Sequence, residues 1–198
     1  MRLLDPHAVV GLLWAAFVLF WLVMAQFNKK GVKGAVRRSG GAWAMRLAIL
    51  VGVLIVVSFR GRGGATLLVG ISRAFPVHPG IVGEWLGVGL VAIGFGIAFW
   101  ARGYLGRNWG MPMSLRQGHE LVTSGPYAYV RHPIYSGIML AMVGAAVVEG
   151  LLWLVLFTLY FAYFLYSART EEKMMVAQFP DAYPAYRRRT KMLIPFVL

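Results

Sequence analysis

The chain has 198 residues, of which 59% are apolar and only 14% charged, and it carries a formal net charge of +13 with no cysteine. Soluble domains average about 45–50% apolar and about 25% charged residues, so this composition indicates an integral membrane protein. The basic residues lie between long apolar runs rather than on structured polar faces, which excludes a nucleic-acid binder. The lack of cysteine excludes disulfides, thiolate metal sites and a cysteine nucleophile.

The apolar segments predict an all-α integral membrane protein that forms one domain over residues 1–198, with about five transmembrane helices. The first segment, 9–27, has 19 residues. That exceeds the apolar core of a signal peptide, so we interpret it as a retained transmembrane helix. The other predicted spans are 43–59, 81–101, 133–148 and 151–168. Two residues separate the last pair, which are therefore expected to form a tight antiparallel hairpin.

The distribution of lysine and arginine predicts the orientation of these spans. Of the 20 such residues, 15 lie in the first loop, the third loop and the tail, and four lie on the other side. By the positive-inside rule the N-terminus is outside and the C-terminus is cytosolic, in what we expect to be a prokaryotic inner membrane. The polar segment 102–132 and the tail from Arg169 then share the cytosolic face. Residues 1–101 supply three spans, and 102–198 supply the polar segment, the hairpin and the tail.

The stretch 121–137, LVTSGPYAYVRHPIYSG, differs from the apolar sequence around it. Pro126 and Pro133 prevent a helix from running through it. Pro133 suits the first position of a helix, so His132 is expected beside the free N–H groups of that helix, which form an anion site. Arg131 adds a cation that can hold a carboxylate or phosphate. An interfacial belt that anchors a helix end is the alternative interpretation, but the Gly-Pro-Tyr sequence upstream favours a site.

Glu171 and Glu172 follow the last apolar run by one helical turn. Adjacent helical side chains point about 100° apart, so the two carboxylates are not expected to face one ligand together. We expect one to meet a cationic ligand and the other to pair with Arg169 or Lys173. A solvated acidic pair at a helix exit is the alternative, although the helix dipole disfavours it.

Three other patterns bear on function. No two of the four histidines stand at i, i+4 spacing, which argues against a metal site built from His119, Glu120, His132 and Glu171. Gly83-x-x-x-Gly87 predicts close helix packing rather than dinucleotide binding. The basic, aromatic tail 183–191, YPAYRRRTK, is expected to attract anionic lipid head groups.

GPYAYVRHPIYSG, followed after one helical hairpin by RTEEKMMVAQFPDAYPAYRRR, resembles the isoprenylcysteine carboxyl methyltransferase and phospholipid methyltransferase superfamily. LGRNWG and HELVTSG upstream fit the same pattern, so the resemblance covers residues 104–195. It implies an integral membrane enzyme that transfers a methyl group from S-adenosylmethionine to a lipophilic acceptor. Eukaryotic members carry a longer acidic run where this chain has only Glu171 and Glu172.

The resemblance also implies roles for individual residues. The implied cofactor contacts are His119, Leu121, Val122, Tyr127, His132, Pro133, Tyr135 and Glu171. The implied catalytic residues are Arg131, His132, Arg169 and Glu172. Among these, Arg169 and Arg131 would orient an acceptor carboxylate. A carboxylate acceptor needs no general base, whereas an amine or hydroxyl does, and His132 is the candidate in that case.

Two other classes of function stay open at this point. One is an NADPH-dependent membrane reductase related to the sterol reductases, against which the short chain argues. The other is a non-enzymatic membrane protein or transport subunit that keeps the motif only structurally. A transporter is expected to show internal repeats and broken helices at mid-membrane, and the sequence shows neither.

Overall fold

The computed structural model describes residues 5–24, 79–106, 109 and 120–197. Within these ranges the regular elements are helices, and one isolated parallel β-bridge pairs Val130 with Lys191. The helices are α1 (Pro6–Met24), α2 (Gly80–Leu105), α3 (Pro133–Glu149), α4 (Leu151–Gln178) and α5 (Ala182–Arg189), with a 3₁₀ turn at Gly125–Ala128. The predicted span 43–59 and the basic loop before it lie outside the described residues.

Two of the described helices, α1 with 19 residues and α2 with 26, are long and apolar enough to cross a membrane. The apolar helix α3 is shorter. These helices give the chain its membrane character. Five spans and an outside N-terminus stay predictions.

The predicted helices 81–101 and 133–148 are confirmed as α2 and α3, and the first predicted helix begins earlier, at Pro6. Asp5 accounts for that start, because its Oδ1 accepts a hydrogen bond of 3.3 Å from the backbone N–H of His7. The last predicted apolar run ends at residue 168, and the helix that contains it, α4, continues to Gln178, so the expected helical geometry of Glu171 and Glu172 is confirmed. The residues beyond that run, RTEEKMMVAQ, are mostly good helix formers, and the helix ends two residues before Pro180.

Glycines hold α2 and α3 in close antiparallel contact. A Cβ atom on Gly94 would lie 2.5 Å from the carbonyl oxygen of Gly137, and one on Gly144 would lie 2.5 Å from that of Gly87. The two glycines on each helix are seven residues apart, so they occupy one face. The close packing predicted around Gly87 is confirmed, whereas a Cβ on Gly83 would meet Pro79 of the same helix start.

Gly150, with φ of +95°, joins α3 and α4, a backbone conformation that glycine adopts without strain. Tyr135 at the start of α3 contacts Ser167 in the second half of α4, so the two helices are antiparallel and the predicted hairpin is confirmed. α1 joins α2 through stacked rings, with 4.4 Å between the centroids of Phe17 and Phe95.

The tail returns to the beginning of α3. The backbone N–H groups of Arg131 and His132 donate to the carbonyl oxygens of Lys191 and Met192 at 2.8 and 3.0 Å. The hydroxyl of Ser136 also donates to the carbonyl of Leu193, which is fully buried. These contacts bring the tail to the start of α3, at the end of the hairpin opposite Gly150.

Candidate active site

His132 lies between two glutamates where α3 begins and the polar end of α4 passes by. Its Nδ1 is 3.5 Å from Oε2 of Glu171, and its Nε2 is 3.6 Å from Oε1 of Glu172. The histidine side chain is only 10% exposed. We expected the two carboxylates to face different ways, but the imidazole ring presents one nitrogen to each. The 100° offset of adjacent helical residues therefore brings both acids to one residue.

Glu172 forms the shortest ion pair of the site, with Arg131. Its Oε1 lies 2.6 Å from Nε of Arg131, and the two side chains are 4% and 7% exposed. Nε of Arg187 lies 3.5 Å from the other carboxylate oxygen. The expected pairing of the second glutamate with Arg169 or Lys173 is therefore wrong. It fails because Arg131 and Arg187 reach α4 from a loop and a helix that are distant in sequence.

The guanidinium of Arg131 also holds the tail. Its Nη1 donates to the carbonyl oxygens of Thr190 and of Arg187, the latter at 3.3 Å. Arg131 thus joins α4, α5 and the tail through one buried cation. Charge-assisted hydrogen bonds of this kind are about twice as strong as neutral ones.

Glu171 is oriented by hydroxyl groups. Its Oε1 accepts 2.6 Å from the Tyr135 hydroxyl and 3.2 Å from the Ser167 hydroxyl. The Tyr135 ring stacks on His132, with 5.5 Å between centroids and 4° between planes, and on Phe164 at 4.5 Å. The Glu171 side chain stays 24% exposed. It is therefore the accessible carboxylate of the pair, and Glu172 is the enclosed one.

The charges of this cluster determine its protonation. Burial by itself would lower the pKa of His132, but the adjacent Glu171 and Glu172 carboxylates outweigh burial, and the pKa is raised above its ordinary value. Burial would raise the pKa of Glu172, but His132 and Arg131 outweigh it, and that pKa is lowered. The arrangement favours an imidazolium between two carboxylates.

The 3₁₀ turn supplies a wall of the site. Gly125 adopts a φ of +60°, and a Cβ there would lie 2.5 Å from the ring of Tyr104. Tyr127 is buried, and burial raises the pKa of its hydroxyl, which is therefore neutral. Tyr186 of α5 donates a 2.6 Å hydrogen bond to the Tyr127 carbonyl. The turn and α5 thus form one unit.

The other predicted site residues differ in position. Val122 packs into the same apolar cluster as Tyr127 and Tyr135, and Leu121 is half-buried. Pro133 is fully buried, Arg169 is exposed, and His119 lies outside the described residues. The start of α3 offers fewer anion donors than predicted, because proline has no N–H and Met192 takes that of His132.

Several residues of the site were missed by the sequence reasoning. Ser167 is buried between Tyr135 and Glu171, and Arg187 reaches Glu172 from α5. One turn before Ser167, the hydroxyl of Tyr163 is buried, with no hydrogen-bond partner among the described residues. The spacing of 163, 167 and 171 at i, i+4 and i+8 is a signal that was available, since it places three polar residues on one face of an apolar helix.

No group of three or more metal-binding side chains occurs in the part of the chain that the structure describes. His132 has two carboxylates beside it, and one of them, Glu172, is paired with Arg131 and Arg187. Metal independence stays a prediction.

Comparison with known proteins gives relatives of several names. The cobalt-zinc-cadmium resistance protein CzcN of Cupriavidus metallidurans is 35% identical over 118 residues, 57% of this chain and 52% of that protein. Protein-S-isoprenylcysteine O-methyltransferase of Schizosaccharomyces pombe is 38% identical over 81 residues, 40% of this chain and 34% of that protein. Methanethiol S-methyltransferase of Crocosphaera subtropica is 40% identical over 73 residues, 36% of this chain and 28% of that protein.

The chain thus spans about half the length, or less, of these relatives. A family model described as phospholipid methyltransferase matches residues 82–182. This range is just over half of the chain and runs from α2 through the hairpin to the first residue of α5. It contains the histidine, both glutamates and the residues that orient them. The chain belongs to the phospholipid methyltransferase family.

Proposed function

We propose that this protein is an S-adenosylmethionine-dependent methyltransferase that acts on a lipophilic acceptor in the membrane. The observation that carries the proposal is the meeting of His132, Tyr135, Glu171 and Glu172 at one end of the α3–α4 hairpin. Family membership and the two relatives named as methyltransferases support it. No observation favours the NADPH reductase or the non-enzymatic alternative.

The residues of the site suit the charges of S-adenosylmethionine. Glu171, accessible and held by two hydroxyls, binds the ammonium group. The stacked rings of Tyr135 and Phe164 lie beside it and suit the adenine or the sulfonium. The cofactor supplies an electrophilic methyl group. The protein contributes position and exclusion of water, because an in-line displacement needs little other help.

Glu172 and Arg131 hold the other residues of the site in position. Arg131 is buried and already bound to Glu172 and to two tail carbonyls, so it holds the wall of the site rather than an acceptor. Arg169, exposed and one turn before Glu172 on α4, is the cation that orients an acceptor carboxylate. This assignment separates two arginines that the resemblance treated together.

In its neutral form, His132 is the general base when the acceptor is an amine or a hydroxyl. The two flanking carboxylates stabilise the imidazolium that forms when the ring takes a proton. A carboxylate acceptor is already nucleophilic and needs no base. The requirement for His132 therefore depends on the acceptor's chemistry.

The acceptor approaches along α4 from the apolar side. Tyr163 and Ser167 lead from the apolar part of that helix to Glu171, and the Tyr163 hydroxyl offers a hydrogen bond to the polar part of a lipophilic molecule. The cofactor enters from the cytosolic face, with the N-terminus outside and the C-terminus in the cytosol of a prokaryote. Anionic lipid head groups attract the basic tail on that face.

Calorimetry of the purified full chain in detergent separates the candidate functions. We expect saturable binding of S-adenosylmethionine and S-adenosylhomocysteine and none of NADPH. NADPH binding without either sulfur compound would favour the reductase, and no binding of any of the three would contradict an enzymatic role. Transfer of a labelled methyl group into a membrane lipid extract then identifies the acceptor.

A further inference from the structure

A cationic cavity lies on the tail side of Arg131. It measures about 320 Å³ and lies between α5, the returning tail and the loop before α3. Its lining includes five basic side chains and no acidic one: Arg131, Arg187, Arg188, Arg189 and Lys191. The cavity borders the glutamate cluster, because Arg131 and Arg187 also contact Glu172.

The fold concentrates these charges in one place. Arg187, Arg188 and Arg189 form the last turn of α5, and the backbone is extended at Thr190. Lys191 forms a parallel β-bridge with Val130, and Lys191 lines the same cavity. Three consecutive helical residues and a lysine two positions later thus surround one space.

The charge of the cavity is unbalanced within the described residues. The Glu172 carboxylate pairs closely with Arg131 and at a longer distance with Arg187. Arg188, Arg189 and Lys191 form no ion pair with any carboxylate in these ranges. The negative end of the α5 dipole stabilises nearby cations. That gain is opposed by the mutual repulsion of cations that share one concave space. A bound anion would remove the repulsion.

We propose that this cavity binds a phosphate group, carried either by an anionic lipid at the membrane surface or by a soluble phosphate. Guanidinium groups hold phosphate through paired N–H donors, and the cavity offers several guanidiniums and one ammonium to a single oxyanion. Its volume is large enough for a phosphate-containing head group, since pockets for small molecules begin at about 300 Å³. The proposal does not depend on methyl transfer.

The test uses the full chain in zwitterionic detergent, titrated separately with short-chain phosphatidylglycerol, glycerol phosphate and inorganic phosphate, with binding followed by calorimetry. We expect saturable binding of at least one of them with a stoichiometry of one. Preference for the lipid identifies a head-group site, and equal binding of inorganic phosphate identifies a soluble ligand. No saturable binding of any probe overturns the proposal.

Lys191→Gln and Lys173→Gln provide the matched comparison. Both lysines are exposed and both changes remove one charge, but only Lys191 lines the cavity. If the cavity is a specific site, Lys191→Gln should bind the anion about fivefold more weakly, because one surface cation contributes about 1 kcal/mol. Lys173→Gln should change the binding little. Equal losses in the two variants would indicate diffuse surface attraction and overturn the site. Unchanged thermal unfolding midpoints would show that both variants keep the fold.

Discussion

The hydroxyl of Tyr135 donates a 2.6 Å hydrogen bond to Oε1 of Glu171, joining the start of α3 to the polar end of α4. If Glu171 binds the cofactor, Tyr135→Phe leaves the stacked ring and removes only this bond. We expect S-adenosylmethionine affinity to fall about tenfold, since a hydrogen bond to a charged group contributes about 1.5–3 kcal/mol and some of it is recovered by Ser167. Tyr129→Phe, at a tyrosine that is 62% exposed, should leave the affinity unchanged. Equal affinities of the two variants would show that the Tyr135 hydroxyl does not contribute to cofactor binding.

Glu171→Gln should weaken S-adenosylmethionine binding more than Glu149→Gln does. Glu149 is a matched control because it is also partly buried and also lies beside a histidine, with its Oε2 3.4 Å from Nδ1 of His7, but at the opposite end of α3. We expect a loss of tenfold or more for Glu171→Gln, because the ammonium loses a charge-assisted hydrogen bond of about 1.5–3 kcal/mol. Calorimetric titration measures both. Equal effects would remove Glu171 from the site.

Some parts of this site can be predicted from the sequence, and others cannot. The proline-limited start of α3 and the acidic end of α4 are local signals, and a one-residue hairpin turn necessarily brings those two ends together. The partners of Glu172 were not predictable in the same way. Arg131 and Arg187 are brought to Glu172 by the β-bridge between residues 130 and 191. The sequence around these two residues has no hydrophobic pattern that would fix the register of the bridge.

Helix α4 extends beyond its predicted apolar run. The apolar run stops at Ala168, but helix formation depends on propensity and capping as well as on lipid contact. Residues 169–178 continue the helix without a membrane pattern and carry both glutamates beyond the apolar part. Hydropathy therefore indicates the apolar part of α4, and the residues that follow that part determine where the helix ends.

The Arg131–Glu172 pair should stabilise the protein more than an exposed pair does. Both side chains are nearly inaccessible, so Glu172→Gln leaves a buried guanidinium without its carboxylate. Breaking one partner of a buried pair costs about 3–5 kcal/mol, so we expect a clear drop in the thermal unfolding midpoint. Asp181→Asn, at an exposed acid near the start of α5, should shift the midpoint little.

A double-mutant cycle with Arg131→Gln tests whether the loss at Glu172 comes from the pair itself. If it does, the double variant should be less destabilised than the sum of the single variants, because it contains no uncompensated buried charge. Strict additivity would show that the two residues contribute independently and would contradict the pairing.

Stability and activity should change in opposite directions above pH 6.5. The pKa of His132 is raised from its ordinary 6.5, so the stability it gives by pairing with Glu171 and Glu172 is complete below 6.5 and is lost as pH rises through the raised value. The pKa of Glu172 is lowered from 4.5, so its contribution is complete above 4.5 and is lost as pH falls through the lowered value. The guanidinium groups of Arg131 and Arg187 also face the Glu172 carboxylate.

Unfolding midpoints measured from pH 4 to pH 9 should therefore fall on the alkaline side, and His132→Gln should flatten that limb. Methyl transfer to an amine or hydroxyl should rise over the same range as His132 becomes able to take a proton. A pH-independent transfer rate would indicate an acceptor that is already an anion. An alkaline limb that persists in His132→Gln would assign it to another group.

The glycine contacts between α2 and α3 make a prediction about stability alone. Gly94→Ala places a methyl group 2.5 Å from the carbonyl oxygen of Gly137, and backbone cannot withdraw as a flexible side chain can. The helices must separate, and we expect a destabilisation of about 1–3 kcal/mol, as for other overpacked sites. Gly96→Ala, on the same helix but with no atom outside the local helix backbone within 4 Å of the added methyl group, should instead raise stability by up to about 1 kcal/mol through helix propensity. Because the two variants differ only in what the methyl group meets, equal unfolding midpoints would show that α2 and α3 are farther apart than described.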